Sequence, residues 1–217
     1  MVLERTKLQK IKDFLTLPLR AVAIFEENKW GLSSTRHERF EYAAKEVGGY
    51  CLDVGCGKQN LFIKQYLGGN GSGIDVFPYE GLSGEEIVED LSQFPFPDVS
   101  FDSVTFIANV NHIPKDMRDK ELAEAYRCLR NGGNIIITMP SAFAGVLIHK
   151  IVHIYDHLFG THYDLDSIRG MDHDEESYYL TSREIVERLL RAGFKDVKKK
   201  YFFTQWGLNH LFVGWKK

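Results

Sequence analysis

One short segment constrains this chain more than any other: Leu52-Asp53-Val54-Gly55-Cys56-Gly57. An apolar run of strand length ends in glycines at alternate positions. Glycine there permits positive φ and lets a ligand lie against the backbone with no Cβ in the way. A helix following such a loop presents backbone N–H groups and a partial positive charge to an anionic group. The pattern predicts a buried parallel strand, Tyr50–Val54, running into a ligand-cradling turn and then a helix over 59–67.

The flanking sequence continues the alternation. Gly68-Gly69-Asn70-Gly71 breaks the chain, and Ser72–Val76 reads as a second strand. Glu86–Glu89 is a weak third strand and Phe101–Ala108 a fourth. A helix over 116–129, closed by Asn131-Gly132-Gly133, precedes a strand over 134–139. A helix over 181–192 starts at Thr181 or Ser182, has Glu184 in its first turn and stops at Gly193. Residues 194–203 and 208–215 read as two strands joined through Gly207. Alternating strands and helices predict a parallel sheet with right-handed crossovers. The expected fold is α/β and Rossmann-like: a mostly parallel seven-stranded sheet, an antiparallel C-terminal edge, and helices on both faces. Ligands on such sheets bind at the carboxyl ends of the strands, here the loops after 54, 76, 89 and 108.

The whole of 1–217 is read as one domain, which suits 217 residues at 44% hydrophobic content. Residues 1–48 form N-terminal helices, over 3–15 and 18–28 with a break near Pro18, then from a Ser34 cap to about Val47. Residues 141–180 interrupt the alternation as a lid-like insertion over the site.

Ordered partners of the glycine loop sharpen the reading. Gly73-Ile74-Asp75 places an acid at the end of the second strand, and Glu89-Asp90-Leu91 places another after the third. A helix N-cap is the alternative for Asp90. From about 50 to 139 the chain resembles the type-11, ubiquinone/menaquinone-biosynthesis-like branch of class I S-adenosylmethionine (SAM)-dependent methyltransferases. The segments LDVGCG, GIDV, EDLSQFPFPDVSFDSV, HIP and YRCLRNGGNIIITMP match that pattern in order, and YYLTSREIVERLLRAGF is similar to the family's late helix.

The resemblance implies SAM as cofactor and S-adenosylhomocysteine as product. It implies that Asp53, Gly55 and Gly57 line the methionine end, that Asp75 holds the ribose, and that Val76 packs on the adenine. Asp90 and Leu91 would face the adenine edge, and Asn109 would lie near the methionine moiety. Cys56, inside the loop, is read as a small residue tolerated between glycines, with a nucleophile as the sharper alternative. Gln59 departs from the pattern, since the family has a small residue there; it either narrows the pocket or adds a polar contact to the carboxylate. His112 is the candidate general base, having a pKa suited to the task; the alternative is a loop histidine bonding backbone near Pro114.

Other classes fit less well. A dinucleotide fingerprint wants a third glycine where this chain has Asn60. A net charge of −3 gives no global basic field for nucleic acid. The three cysteines match no disulfide framework or zinc motif and point to a reduced, cytoplasmic protein. The N-terminus lacks the apolar segment of a secretory signal. His149, His153 and His157 share one helical face, with His162, Asp164 and His173 following; without the zinc-protease glutamate no metal is expected, and the face reads as an ordinary amphipathic one or as lining of a substrate pocket. Residues 1–20 combine Arg5, Lys7, Lys10, Lys12 and Arg20 with interleaved apolar residues, which suits either core cover or contact with an anionic membrane. The expected function is methyl transfer to a small-molecule or lipid-like acceptor; the alternative is a non-catalytic SAM-binding protein that kept the fold.

Overall fold

The computed structural model describes residues 5–22, 32–144, 157 and 180–217. Its strands are β1 (Cys51–Val54), β2 (Gly71–Ile74), β3 (Phe101–Ile107), β4 (Leu129–Pro140), β5 (Lys195–Tyr201) and β6 (Asn209–Trp215). They form one six-stranded sheet in the order β2-β1-β3-β4-β6-β5. The first four run parallel, while β6 lies antiparallel to both β4 and β5. The parallel sheet with an antiparallel C-terminal edge is therefore present.

The expected seventh strand, Glu86–Glu89, is reduced to a single parallel bridge between Asp75 and Ile87. The Asp75 N–H donates to Glu86 O, and the Val88 N–H donates to Asp75 O, each over 2.9 Å. Beyond that point the chain turns at Asp90 and meets Pro95 and Pro97, which have no N–H for a ladder. The segment cannot extend as a strand, and the sheet keeps six.

The sheet is covered on both faces, as the apolar run in β1 requires. All four residues of β1 are buried. Leu52 and Val54 join a core with Leu122 and Ala125 of α4 (Arg118–Cys128) and Ile185 and Leu189 of α5 (Ser182–Arg191). Cys51 joins a second core on the opposite face with Ala43 and Ala44 of α3 (Thr35–Ala44) and Phe62. Each fully buried Phe in these layers, such as Phe106 or Phe62, contributes about 2 to 3 kcal/mol.

Helix ends follow their chemistry. Thr181 Oγ1 accepts from the Glu184 N–H, and the Glu184 carboxylate accepts from the Thr181 N–H, forming a capping box at the start of α5. Ser34 caps α3 by accepting from the His37 N–H. At the N-terminus, α1 (Lys7–Leu15) and α2 (Leu17–Val22) meet at Thr16 rather than at Pro18. Pro18 sits inside the first turn of α2, where its missing N–H costs nothing. No described helix is long and apolar enough to cross a membrane.

The segment after the glycine loop departs from the expected α-helix. A 3-10 turn, Lys58–Asn60, is followed by a π-helical turn, Phe62–Tyr66. Gln59 and Asn60 both have positive φ, 58° and 48°, and α-helical continuity cannot pass through that conformation.

Candidate active site

A cavity of about 420 Å³ opens at the carboxyl ends of the parallel strands, within the size class of small-molecule sites. Its wall comes from the loops after β1, β2, the bridge and β3, completed by the first turns of α4. The four loops singled out in the sequence converge here.

Gly55 and Gly57 line it from the first loop. Gly55 has φ 71°, and a Cβ there would lie 2.3 Å from Asn109 Nδ2. Asn109 donates that amide to Val54 O at 3.1 Å, so loop and amide are locked together. Gly57 has φ 65° and a Cβ would meet nothing within 4 Å; the space is open for a ligand.

Asp75 is 5% exposed and lines the cavity. Its carboxylate accepts from the Gly57 N–H at 2.9 Å and the Phe77 N–H at 3.0 Å. Those bonds orient both oxygens and leave a lone pair on each for a ligand hydroxyl. Val76, exposed at 39%, offers an apolar plate beside it. Asp90 and Leu91 also line the cavity. Asp90 is no helix cap: it accepts from the Ser92 hydroxyl and from the Ser92 N–H at 2.7 Å, in a turn. Those two bonds, the hydroxyl first, hold its carboxyl below the usual range. His112 ends a 3-10 turn after β3 with its ring at the cavity wall, its Nε2 3.1 Å from the Asn111 amide nitrogen.

Three named residues are not among those lining the cavity. Asp53 is 2% exposed and its carboxyl accepts from Thr105 Oγ1 at 2.6 Å. It braces β1 against β3, and burial pushes it up to about 7 despite that hydroxyl, with Asp75 adding repulsion. Cys56 is buried, and burial drives its thiol far above the ordinary range, which opposes a thiolate nucleophile. Gln59 donates its N–H to Glu80 O at 2.9 Å, held in the left-handed region.

The loop's own N–H groups are largely spent within the protein. Gly55 and Cys56 both donate to Ile74 O, at 2.8 and 3.2 Å. The expected cluster of N–H groups at a helix N-terminus is therefore replaced by a loop rigidified against β2.

Sequence reasoning missed Glu121. It lines the cavity from α4, is 4% exposed, and its Oε2 is buried with no hydrogen-bond partner. Burial, then repulsion from Asp90, pushes its carboxyl up to about 8. Pro114 and Met117 complete that side. The histidine cluster expected over 149–173 lies outside the described residues apart from His157, which is exposed. Among the described residues no group of His, Cys, Asp and Glu is placed to hold a metal. The lid expected over 141–180 also lies almost wholly outside them.

Comparisons with known proteins bear on the fold and the family resemblance. Residues 52–137 match a family model described as a methyltransferase domain. The chain is 32% identical over 140 residues to the ubiquinone/menaquinone biosynthesis C-methyltransferase UbiE of Dinoroseobacter shibae, covering 60% of this chain and 52% of that protein. It thus spans about half the length of the curated relatives it matches. Among solved structures, a SAM-dependent methyltransferase from Thermotoga maritima, titled a possible histamine N-methyltransferase, aligns with TM-score 0.57 at 16% identity, covering 95% of this chain and 96% of that one. The [4+2]-cyclase SpnF aligns with TM-score 0.56 at 16% identity, covering 97% of this chain and 95% of that one. The glycine loop, Asp75 and Asp90 thus line one cavity inside the segment that matches the methyltransferase-domain model, and the chain shares its fold with solved SAM-dependent methyltransferases.

Proposed function

We propose that this chain transfers a methyl group from SAM to a small, quinone-like or lipid-like acceptor. The observation that carries the reading is the single cavity shared by Gly55, Gly57, Asp75, Val76, Asp90 and Asn109. The residues fit the cofactor: a wall without Cβ atoms, an oriented carboxylate, an apolar plate and a second acid. SAM supplies an electrophilic methyl on a sulfonium, and its transfer is an in-line displacement whose chief demand is alignment.

In this reading Gly55 and Gly57 leave room for the methionine end, next to Asn109. Asp75 takes the ribose hydroxyls on its remaining lone pairs. Val76 and Leu91 flank the adenine, and Asp90 accepts its exocyclic amine. His112 is the general base for the acceptor's proton, and Ile113, Pro114 and Met117 give the acceptor an apolar wall. The named activity of the UbiE relative, C-methylation in quinone biosynthesis, supports an aromatic, lipid-soluble acceptor.

Calorimetric titration of SAM and S-adenosylhomocysteine into the full chain tests the cofactor site. Binding should weaken at least about tenfold in Asp75→Asn, through loss of charge-assisted hydrogen bonds. Labelled methyl transfer to naphthoquinone and benzoquinone precursors then tests the acceptor, with His112→Ala expected to lower turnover. An absence of SAM binding to the native chain would overturn the reading. A second reading, a SAM-binding protein that transfers no methyl, is favoured by the fold shared with a [4+2]-cyclase. Tight SAM binding without methyl transfer to any acceptor would select it.

A further inference from the structure

Helix α1 turns its polar side inward. Asp13 is 1% exposed, accepting from Arg5 Nη1 and from Gln9 Nε2, each at 2.7 Å. Gln9 Nε2 also donates to Ser33 Oγ at 2.9 Å, and Arg5 Nε to Glu41 Oε1 at 2.9 Å. Arg20, 2% exposed, donates to Glu38 and to the carbonyls of Asp13, Ser33 and Thr204. With that face fastened to α3 and the turn near 204, the apolar stripe has only one way to point. Leu8, Ile11 and Leu15, at i, i+3 and i+7, are 77%, 56% and 69% exposed, and Leu19 follows at 53%. Beside them Phe203, 63% exposed, stacks on Phe14 at 4.7 Å. Trp206, 51% exposed, donates its indole N–H to Phe14 O at 2.8 Å.

Single exposed apolar residues are ordinary. A stripe with the period of a core-facing helix, bordered by exposed Phe and Trp, is not. Exposed Lys7 and Lys12 also stand on α1, whose one acid, Asp13, is buried. The outward side is thus apolar and cationic.

We propose that this face docks on the surface of an anionic phospholipid bilayer, with α1 lying in the plane of the interface. Apolar side chains enter the acyl boundary, lysines meet the headgroups, and Trp206 sits at headgroup level. A second copy fits less well: two-fold pairing of the stripe sets cationic flanks against each other with no exposed acid on α1 to meet them. The inference is independent of the methyl-transfer reading, since none of these residues lines the cavity.

Co-sedimentation of the full chain with vesicles of phosphatidylcholine, with or without phosphatidylglycerol, tests it. The chain should pellet with the anionic vesicles and release in high salt. The pair Lys7→Glu and Lys12→Glu should weaken partitioning at least about fivefold per lysine. The triple variant Leu8→Gln, Ile11→Gln, Leu15→Gln should weaken it more than about a hundredfold. Thermal melts accompany each variant; if the triple variant is unfolded, the lysine pair decides. A native chain that stays in the supernatant with anionic vesicles overturns the proposal, as does equal binding by every folded variant. A native dimer that the triple variant dissociates, without vesicle binding, assigns the face to a second copy and also overturns it.

Discussion

Replacing Glu121 by Gln isolates the least comfortable group in the cavity wall. The side chain is 4% exposed, and its carboxyl is raised from 4.5 to about 8. Because the folded pKa lies above the unfolded one, its contribution to stability is fully present below about pH 4.5 and is lost as pH rises through about 8. Each unit of separation is worth 1.36 kcal/mol. Taking 4.5 and 8 as the two values, the native chain should lose about 4 kcal/mol from this group between about pH 5 and pH 9. Glutamine does not titrate, so the Gln variant escapes that loss. Its amide still faces desolvation, a cost of about 1 to 3 kcal/mol that is independent of pH. The informative quantity is therefore the slope of the difference, not its offset. Asp53, also raised, titrates in both proteins and cancels to first order. Urea unfolding followed by circular dichroism, at intervals from about pH 5 to pH 9, gives the difference directly. The variant should gain on the native protein throughout and be the more stable at the alkaline end. A difference flat to within about 1 kcal/mol over that range would refute the reasoning, because it would mean that water or a cation reaches the carboxylate in the folded state.

Three other substitutions follow from particular contacts. Gly55→Ala places a methyl on the Asn109 amide at positive φ and should cost about 2 to 4 kcal/mol in urea unfolding and abolish measurable SAM binding; a native-like variant would show that the loop is not held as described. Gln59→Gly relieves a left-handed residue at φ 58° and should stabilise by about 0.5 to 1 kcal/mol in thermal melts. It should change SAM affinity less than about tenfold, since Gln59 is absent from the cavity wall. Arg20→Met takes the guanidinium from Glu38 and from the carbonyls of Asp13, Ser33 and Thr204, leaving Glu38 with Gln205 at 2.8 Å and Arg5 at 3.5 Å, and should cost about 3 to 5 kcal/mol. A loss under about 1 kcal/mol would mean that the N-terminal helices are not anchored through this pair.

Much of the site could be read from the chain because its parts are local. The glycines at 55 and 57 sit where the backbone needs positive φ, Asp75 directly follows a short strand, and Asp90 stands two residues after Val88. The Thr181 and Glu184 capping box lies within one turn, so its two partners are visible together. Asp53 shows where locality fails. Cavity-lining glycines follow two and four residues later, yet its side chain points under the loop to Thr105, a partner fifty-two residues away. The same holds for the loop's N–H groups, whose acceptors Ile74, Asp75 and Glu80 come from the next strand and its loop.

Helices expose a more general limit. A period of 3.6 shows that a helix has two faces; it does not say which one turns inward. In α4 the inward positions include Arg118 and Glu121 beside Leu122, Ala125 and Cys128. Two charges on an apolar stripe are the mark of a cavity wall, but the stripe alone would equally suit a core with its charges reaching out. In α1 the ordinary rule is reversed, because Arg20, Glu38, Glu41 and Ser33 supply partners for its polar side. Hydrogen bonds to charged groups contribute about 1.5 to 3 kcal/mol each, comparable with burying a leucine at about 1.5 to 3 kcal/mol. When several such bonds converge on Asp13, Gln9 and Arg5, they outweigh the burial of Leu8, Ile11 and Leu15. The apolar stripe is then left outside, and the deficit is recovered only if something apolar covers it.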